Sequence, residues 1–184
     1  MEWLLSENKE FRYCVADTFE GKILVPIMKN MLYKAETEWD DYNEAYHCCQ
    51  FIETVRKNPS VKMDFHSVKK GEDTIGVGLV TYGEINTLPS FPVDFHLPSS
   101  TDKILLFSYF HVSPEGRGLG EHWLKDIILP YYAGKGFASV YVKSSHPRVF
   151  SLYKRLGERV ASYKSESDNG LHQREGEIFR ISLL

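Results

Sequence analysis

Val112-Ser113-Pro114-Glu115-Gly116-Arg117-Gly118-Leu119-Gly120 decides the fold of this chain. Upstream of it, Ile104 to Val112 is nearly continuous apolar and aromatic, the pattern of a strand covered on both faces. Downstream, Leu119, Trp123, Leu124, Ile127 and Ile128 fall on one side of a helix, with Glu121 and Lys125 spaced for i,i+4 support. A buried strand therefore runs through a glycine-rich turn into an amphipathic helix. Glycine lets backbone approach a ligand closely, and the first N–H groups of a helix lack an internal partner. Together they make an anion site suited to a phosphate or pyrophosphate.

Working outward, Pro130 is expected to kink or end that helix, and Gly134-Lys135-Gly136 breaks the chain again. Ala138 to Lys143 alternates as a strand. His146-Pro147 opens a short helix with Val149, Leu152, Tyr153 and Leu156 inward and Gly157 as its stop. Glu158 to Lys164 and Glu177 to Leu184 read as two closing strands around Asp168-Asn169-Gly170. On the N-terminal side, Phe11 to Ala16 reads as a short strand, and roughly Gly21 to Ala35 as a helix with Leu24, Ile27, Met28, Met31 and Leu32 on one apolar face. A second helix carries Tyr46, Cys49, Phe51, Ile52 and Val55 and ends at Asn58-Pro59. Val61 to Val68 and Thr74 to Tyr82 flank a turn as an antiparallel hairpin. Thr87 to Asp102, with three prolines and no clear period, is a long loop whose Phe91, Val93 and Phe95 argue against simple disorder. The expectation is an α/β fold in one domain spanning 1–184: a mixed, mostly antiparallel sheet of about seven strands with about four helices.

Composition narrows the class. The 184 residues are 42% hydrophobic and 26% charged, enough apolar material for a core and unlike a disordered chain. No apolar run approaches the ~20 residues of a membrane span, and the N-terminus does not read as a secretory signal. The expectation is a soluble, cytoplasmic protein without membrane partners. Three cysteines without CxxC spacing and seven scattered histidines argue against a disulfide framework or a metal site. A net charge of -3 gives no support for nucleic-acid binding. Residues 101–184 nevertheless carry 12 basic against 9 acidic side chains, whereas residues 1–100 carry 10 against 16. An anionic ligand therefore favours the C-terminal half.

Three phosphate binders use a glycine turn of this kind. The P-loop requires GxxxxGK[ST], and no Gly-Lys-Ser/Thr occurs. A Rossmann turn requires GxGxxG near the start of repeated βαβ units, with an acid closing the next strand. Here the spacing is GxGxG, it comes late, and Lys143 stands where the acid belongs. The third is the acetyl-CoA pyrophosphate turn of the GNAT N-acetyltransferase family, which this sequence resembles. The family signature Arg/Gln-x-x-Gly-x-Gly/Ala, after a strand ending Val-x-Pro, is matched by Val112-Ser113-Pro114 and Glu115-Gly116-Arg117-Gly118-Leu119-Gly120. A second block, Asn-x-x-Ala-x-x-Leu-Tyr-x-x-x-Gly-Phe, has its counterpart in His146 to Glu158. The departures are Glu115 for Arg/Gln, His146 for Asn and Glu158 for Phe.

The resemblance implies cofactor motifs in 104–158, acceptor-side elements in 1–103, and acetyl-CoA as cosubstrate. It implies that the amine of a small molecule or peptide attacks the thioester directly. Backbone groups of Phe110, His111 and Val112 would line the pantetheine arm, with Val140 to Ser144 opposite. Glu115, Gly116, Arg117, Gly118, Leu119, Gly120, His146 and Tyr153 complete the cofactor site, with Arg117 able to supply the charge lost at Glu115. Tyr153 aligns with the family tyrosine that protonates the departing thiolate. The general base stays open among His111, Glu84 and a water chain. The acidic residues Glu36, Glu38, Asp40, Asp41 and Glu44 either attract a cationic acceptor or form a solvated helix terminus. A homodimer is compatible with the fold. A catalytically inactive sibling that binds acyl-CoA or a protein partner is the alternative reading.

Overall fold

In a computed structural model describing residues 1–37 and 43–183, eight strands form one sheet. They are β1 (Glu2–Glu7), β2 (Arg12–Ala16), β3 (Val61–Lys70), β4 (Asp73–Gly83), β5 (Ile104–Val112), β6 (Ser139–Ser144), β7 (Glu158–Glu166) and β8 (Gln173–Ser182). Their spatial order is β1-β2-β3-β4-β5-β6-β8-β7. Every pairing is antiparallel except β5 with β6. The mixed, mostly antiparallel sheet is as expected, with one strand more. β1 escapes the sequence pattern because it is an edge strand with five of its six residues exposed, so no buried face imposes alternation.

The helices are α1 (Leu24–Thr37), α2 (Glu44–Arg56), α3 (Leu119–His122), α4 (Leu129–Gly134) and α5 (Phe150–Leu156). α3 and α4 are joined by a π-helical stretch, Trp123–Ile128, into one rod. Pro130 therefore does not end the helix. The turn widens just ahead of the residue that has no N–H to give. The rod and α5 cover one face of the sheet, around Trp123, Leu124, Tyr132 and Tyr153. α1, with Ile23 of the 3₁₀ turn before it, and α2 cover the other, through Ile23, Ile27, Cys48 and Ile52 against Phe65, Val77 and Leu79. Met28 and Leu32, expected on the buried face of α1, are exposed; Leu32 is 68% accessible. The inward stripe is Ile23, Leu24, Ile27 and Met31. The long loop is neither disordered nor free. Phe91 and Phe95 lie 5.1 Å apart and pack on Tyr141, extending the α2 side of the core. Glu121 bonds Arg155 of α5 at 2.6 Å rather than Lys125, so it ties the rod to α5.

Two histidines are buried in this framework. His66 Nε2 lies 2.8 Å from the Tyr132 hydroxyl, which itself donates to Asp64 Oδ2 at 2.7 Å. The single hydroxyl hydrogen is thereby used, so His66 Nε2–H is the donor to Tyr132. Burial pushes the imidazoles of His66 and of His111, at the end of β5, down to about 3. An unfolded chain takes up protons at both below ~6.5, whereas the folded chain does not until about 3. Each histidine therefore lowers stability progressively as pH falls through that window. Burial raises the Asp64 carboxyl and offsets part of this loss in the acid range. Thermal melts are expected to show Tm falling from pH 7 to pH 5, with proton uptake on unfolding at pH 5. A flat profile would contradict neutral burial.

Candidate active site

The parallel pairing of β5 with β6 runs from Ile104↔Ser139 to Phe107↔Val142 and stops, although β5 continues to Val112 and β6 to Ser144. On its other side β5 loses register with β4 between Val77↔His111 and Leu79↔Ser108. Two residues of β5, Tyr109 and Phe110, oppose Gly78 alone, which is a β-bulge. Tyr109 takes φ 51° and is the only non-glycine with positive φ among the described residues, a strain of about 1–3 kcal/mol held by its surroundings. The bulge turns the end of β5 away from β6 and opens the sheet.

A cavity of about 1080 Å³ fills the opening. On its walls are Phe110, His111, Val112, Arg117, Gly118, Gly120, His146 and Tyr153, and Val142 to Ser145 face them from β6 and its following loop. Eight of the eleven residues expected at the cofactor site thus converge. Glu115, Gly116 and Leu119 lie off the wall. Gly116 is buried, and a Cβ there would meet Val112 Cγ1 at 2.7 Å, so it lets the turn close on β5. The Glu115 carboxylate faces α1, where the Lys29 ammonium at 2.5 Å pulls its pKa down to about 2.

The turn narrows which amides are open. Gly116 N–H donates to Ser113 O at 2.9 Å and Arg117 N–H to Pro114 O at 3.3 Å. Gly118 caps the rod at φ 96°, and a Cβ built there meets nothing within 4 Å. Its amide and those of Leu119 and Gly120 have no carbonyl four residues back inside the helix. The amides that helix geometry leaves without a partner are therefore those of 118–120, and of these residues Gly118 and Gly120 lie on the cavity wall. The Arg117 guanidinium lies 5.5 Å from the Tyr33 ring centroid on α1 and remains exposed.

Tyr153 is 4% exposed, with its ring 5.4 Å from Phe179. Burial raises its pKa, which keeps it a neutral phenol at working pH. His146, after β6, has its N–H on Ser144 Oγ at 3.2 Å. Glu158 is exposed, 3.5 Å from Arg180. Glu84 precedes a 3₁₀ turn, its carbonyl accepting from Thr87 Oγ1 at 2.6 Å, and is not on the wall.

Of the other end of the cavity, only Glu44 was singled out by the sequence. Asn30, Tyr33 and Lys34 of α1, Glu44, His47 and Phe51 of α2, and Tyr109 line it. Asp168, beyond β7, closes that end by bonding His47 Nε2 at 2.9 Å and Asn43 Nδ2 at 2.8 Å. Of the acidic run, Glu44 is on the wall, whereas Glu38, Asp40 and Asp41 lie outside the described residues.

No protein-family model and no curated protein matches the chain. Solved structures do. The ribosomal L7/L12 α-N-protein acetyltransferase RimL superposes with TM-score 0.58 at 12% identity, covering 99% of this chain and 95% of that one. A GNAT superfamily phosphinothricin acetyltransferase from Sinorhizobium meliloti, in complex with AcCoA, gives 0.55 at 13% identity over 91% and 86%. The ribosomal-protein-alanine N-acetyltransferase from Brucella melitensis gives 0.54 at 11% identity over 91% and 98%. The architecture is the GNAT fold. Among the described residues, no helix is long and apolar enough to cross a membrane.

Proposed function

We propose that this chain is an acyl-CoA-dependent N-acetyltransferase, one catalytic domain that transfers acetyl from acetyl-CoA to a small-molecule or peptide amine by direct attack. One observation carries the reading. The sheet parts after Phe107↔Val142, at the place where the open amides of the rod and the buried Tyr153 meet one cavity. The residues present fit the ligand. Amides of Gly118 and Gly120 take the pyrophosphate, with Arg117 adding positive charge, and backbone of Phe110 with the Val112 N–H takes the pantetheine arm. The carboxylate at Glu115, the most adverse departure from the family signature, is turned toward Lys29 and does not oppose the phosphates.

A backbone N–H near Phe110 or Val112 polarises the thioester carbonyl, and fixed donors there stabilise the developing oxyanion. Tyr153 gives its proton to the departing thiolate. The desolvation that raises the phenol also raises the basicity of a thiolate leaving into the same apolar slot, so donor and acceptor shift together. Thiol release from acetyl-CoA across a panel of amines tests the reading. Turnover with any amine excludes the inactive sibling, and absence of both turnover and acetyl-CoA binding removes the proposal. Tyr153→Phe is expected to lower kcat by about 10²-fold and leave acetyl-CoA affinity nearly unchanged. Unaltered kcat would remove the tyrosine from the mechanism.

A further inference from the structure

Acyl transfer as proposed leaves the proton of the attacking amine without an acceptor. The corner where α1, α2 and β5 meet supplies one. Asn30 on α1 places its amide nitrogen 3.1 Å from the Val112 carbonyl oxygen and 3.4 Å from His111 Nδ1. A carbonyl oxygen only accepts, so the group facing Val112 is the NH₂, and its two hydrogens serve the two acceptors. His111 Nδ1 is thereby the lone-pair nitrogen, and Nε2 carries the hydrogen. That N–H faces Glu44 Oε1 at 3.8 Å. Lys34 Nζ lies on the same oxygen at 2.6 Å. The ring is 8% exposed, and the Lys34 and Glu44 side chains 12% and 21%. His111 therefore has no lone pair left with which to take a proton, and it is not the base. Glu44 is an oxygen acceptor on the cavity wall, close enough to Tyr109 at the bulge for its charge to help raise that phenol.

We infer that the Glu44 carboxylate takes the proton released by the attacking amine, with His111 and Asn30 as positioning residues that aim it. The inference rests on the acyltransferase reading. The amine, entering as the free base, forms the C–N bond to the thioester carbonyl carbon. The C–S bond breaks, the thiolate takes the Tyr153 proton, and the surplus N–H proton passes to Glu44. Tyr153 and Glu44 return to their starting states by exchange with solvent. Among the described residues, the other titratable groups at this corner are Tyr33 and Lys34 from α1, His47, Cys48 and Cys49 from α2, Tyr109 and His111 from β5, His146 beyond β6 and Asp168 beyond β7. Burial raises Cys48 and Tyr109 and lowers His111, so these three stay neutral between pH 5 and 8.

The test has two arms. Nitrogen-15 NMR of the ligand-free protein is expected to show His111 as the neutral Nε2–H tautomer down to pH 5. In Asn30→Asp, a carboxylate in place of the amide should convert it to an Nδ1–H or doubly protonated ring. An Nδ1–H tautomer in the wild type overturns the inference without reference to turnover. The second arm measures pH profiles of kcat with any accepted amine. Glu44→Gln is expected to lose about 10²–10³-fold in kcat together with the acid limb of the profile, acetyl-CoA affinity being unchanged. Glu44→Asp should recover part of the rate, and His111→Gln should keep the limb with a loss of about 10-fold. A Glu44→Gln enzyme that keeps both rate and limb overturns the inference and leaves the acyltransferase reading standing. Failure of the wild type to bind acetyl-CoA removes that reading instead.

Discussion

Acetyl-CoA is expected to stabilise the wild-type protein against heat, and Gly118→Val to abolish that stabilisation. At about 100 Kd, a ligand that binds only the folded chain stabilises it by ≈ 2.7 kcal/mol, and for a protein of this size that raises Tm by roughly 5–10 °C. Two effects of the substitution add. Gly118 sits at φ 96°, where a β-branched residue is a genuine outlier costing about 1–3 kcal/mol. A side chain there also projects into open space on the cavity wall, where the phosphates are proposed to lie. Gly118→Asn separates the two, because asparagine tolerates the left-handed region while still filling the space. It should melt near the wild-type temperature and show no acetyl-CoA shift. A normal shift in Gly118→Asn would mean that the turn is not the phosphate site.

The second large effect concerns stability. Gly157→Ala is expected to lower Tm by on the order of 10 °C, about 3 kcal/mol, and to weaken activity with it. Gly157 ends α5 as the sequence suggests, with φ -160°, ordinary extended backbone. Glycine is required there by close packing. A Cβ would lie 2.2 Å from the Arg180 carbonyl oxygen and 2.9 Å from Ile181 Cγ1. Main chain of β8 cannot yield without breaking its ladder to β6 and β7, so the end of α5 must shift, and α5 carries Tyr153. Chemical denaturation measures the loss. A Gly157→Ala protein as stable as wild type would show that the junction of α5 and β7 is not packed as described.

The strand-turn-helix-strand-helix run of 104–158 was legible because each boundary carries its own local chemistry: Pro114 and the glycines after β5, Pro147 ahead of α5. At the far end of the cavity only Glu44 stood out, within its acidic run. Asn30, Glu44 and His111 meet across 81 residues of sequence, and nothing within α1 or β5 alone marks them as neighbours. Tyr109 gives no sign of a bulge, since aromatic residues favour ordinary strand geometry; its ring lies 5.9 Å from that of Phe51 on α2, a neighbour that nothing local announces. Glu121 and Lys125 are spaced i,i+4, yet Arg155 offers a forked guanidinium that bonds both carboxylate oxygens of Glu121, and it wins.

Crystals grown with coenzyme A give the most direct measurement. They should place diphosphate oxygens within hydrogen-bonding distance of the main-chain nitrogens of Gly118 and Gly120, beside the Arg117 guanidinium. Density for the ligand elsewhere, with those two amides facing only solvent or a protein side chain, would contradict the account.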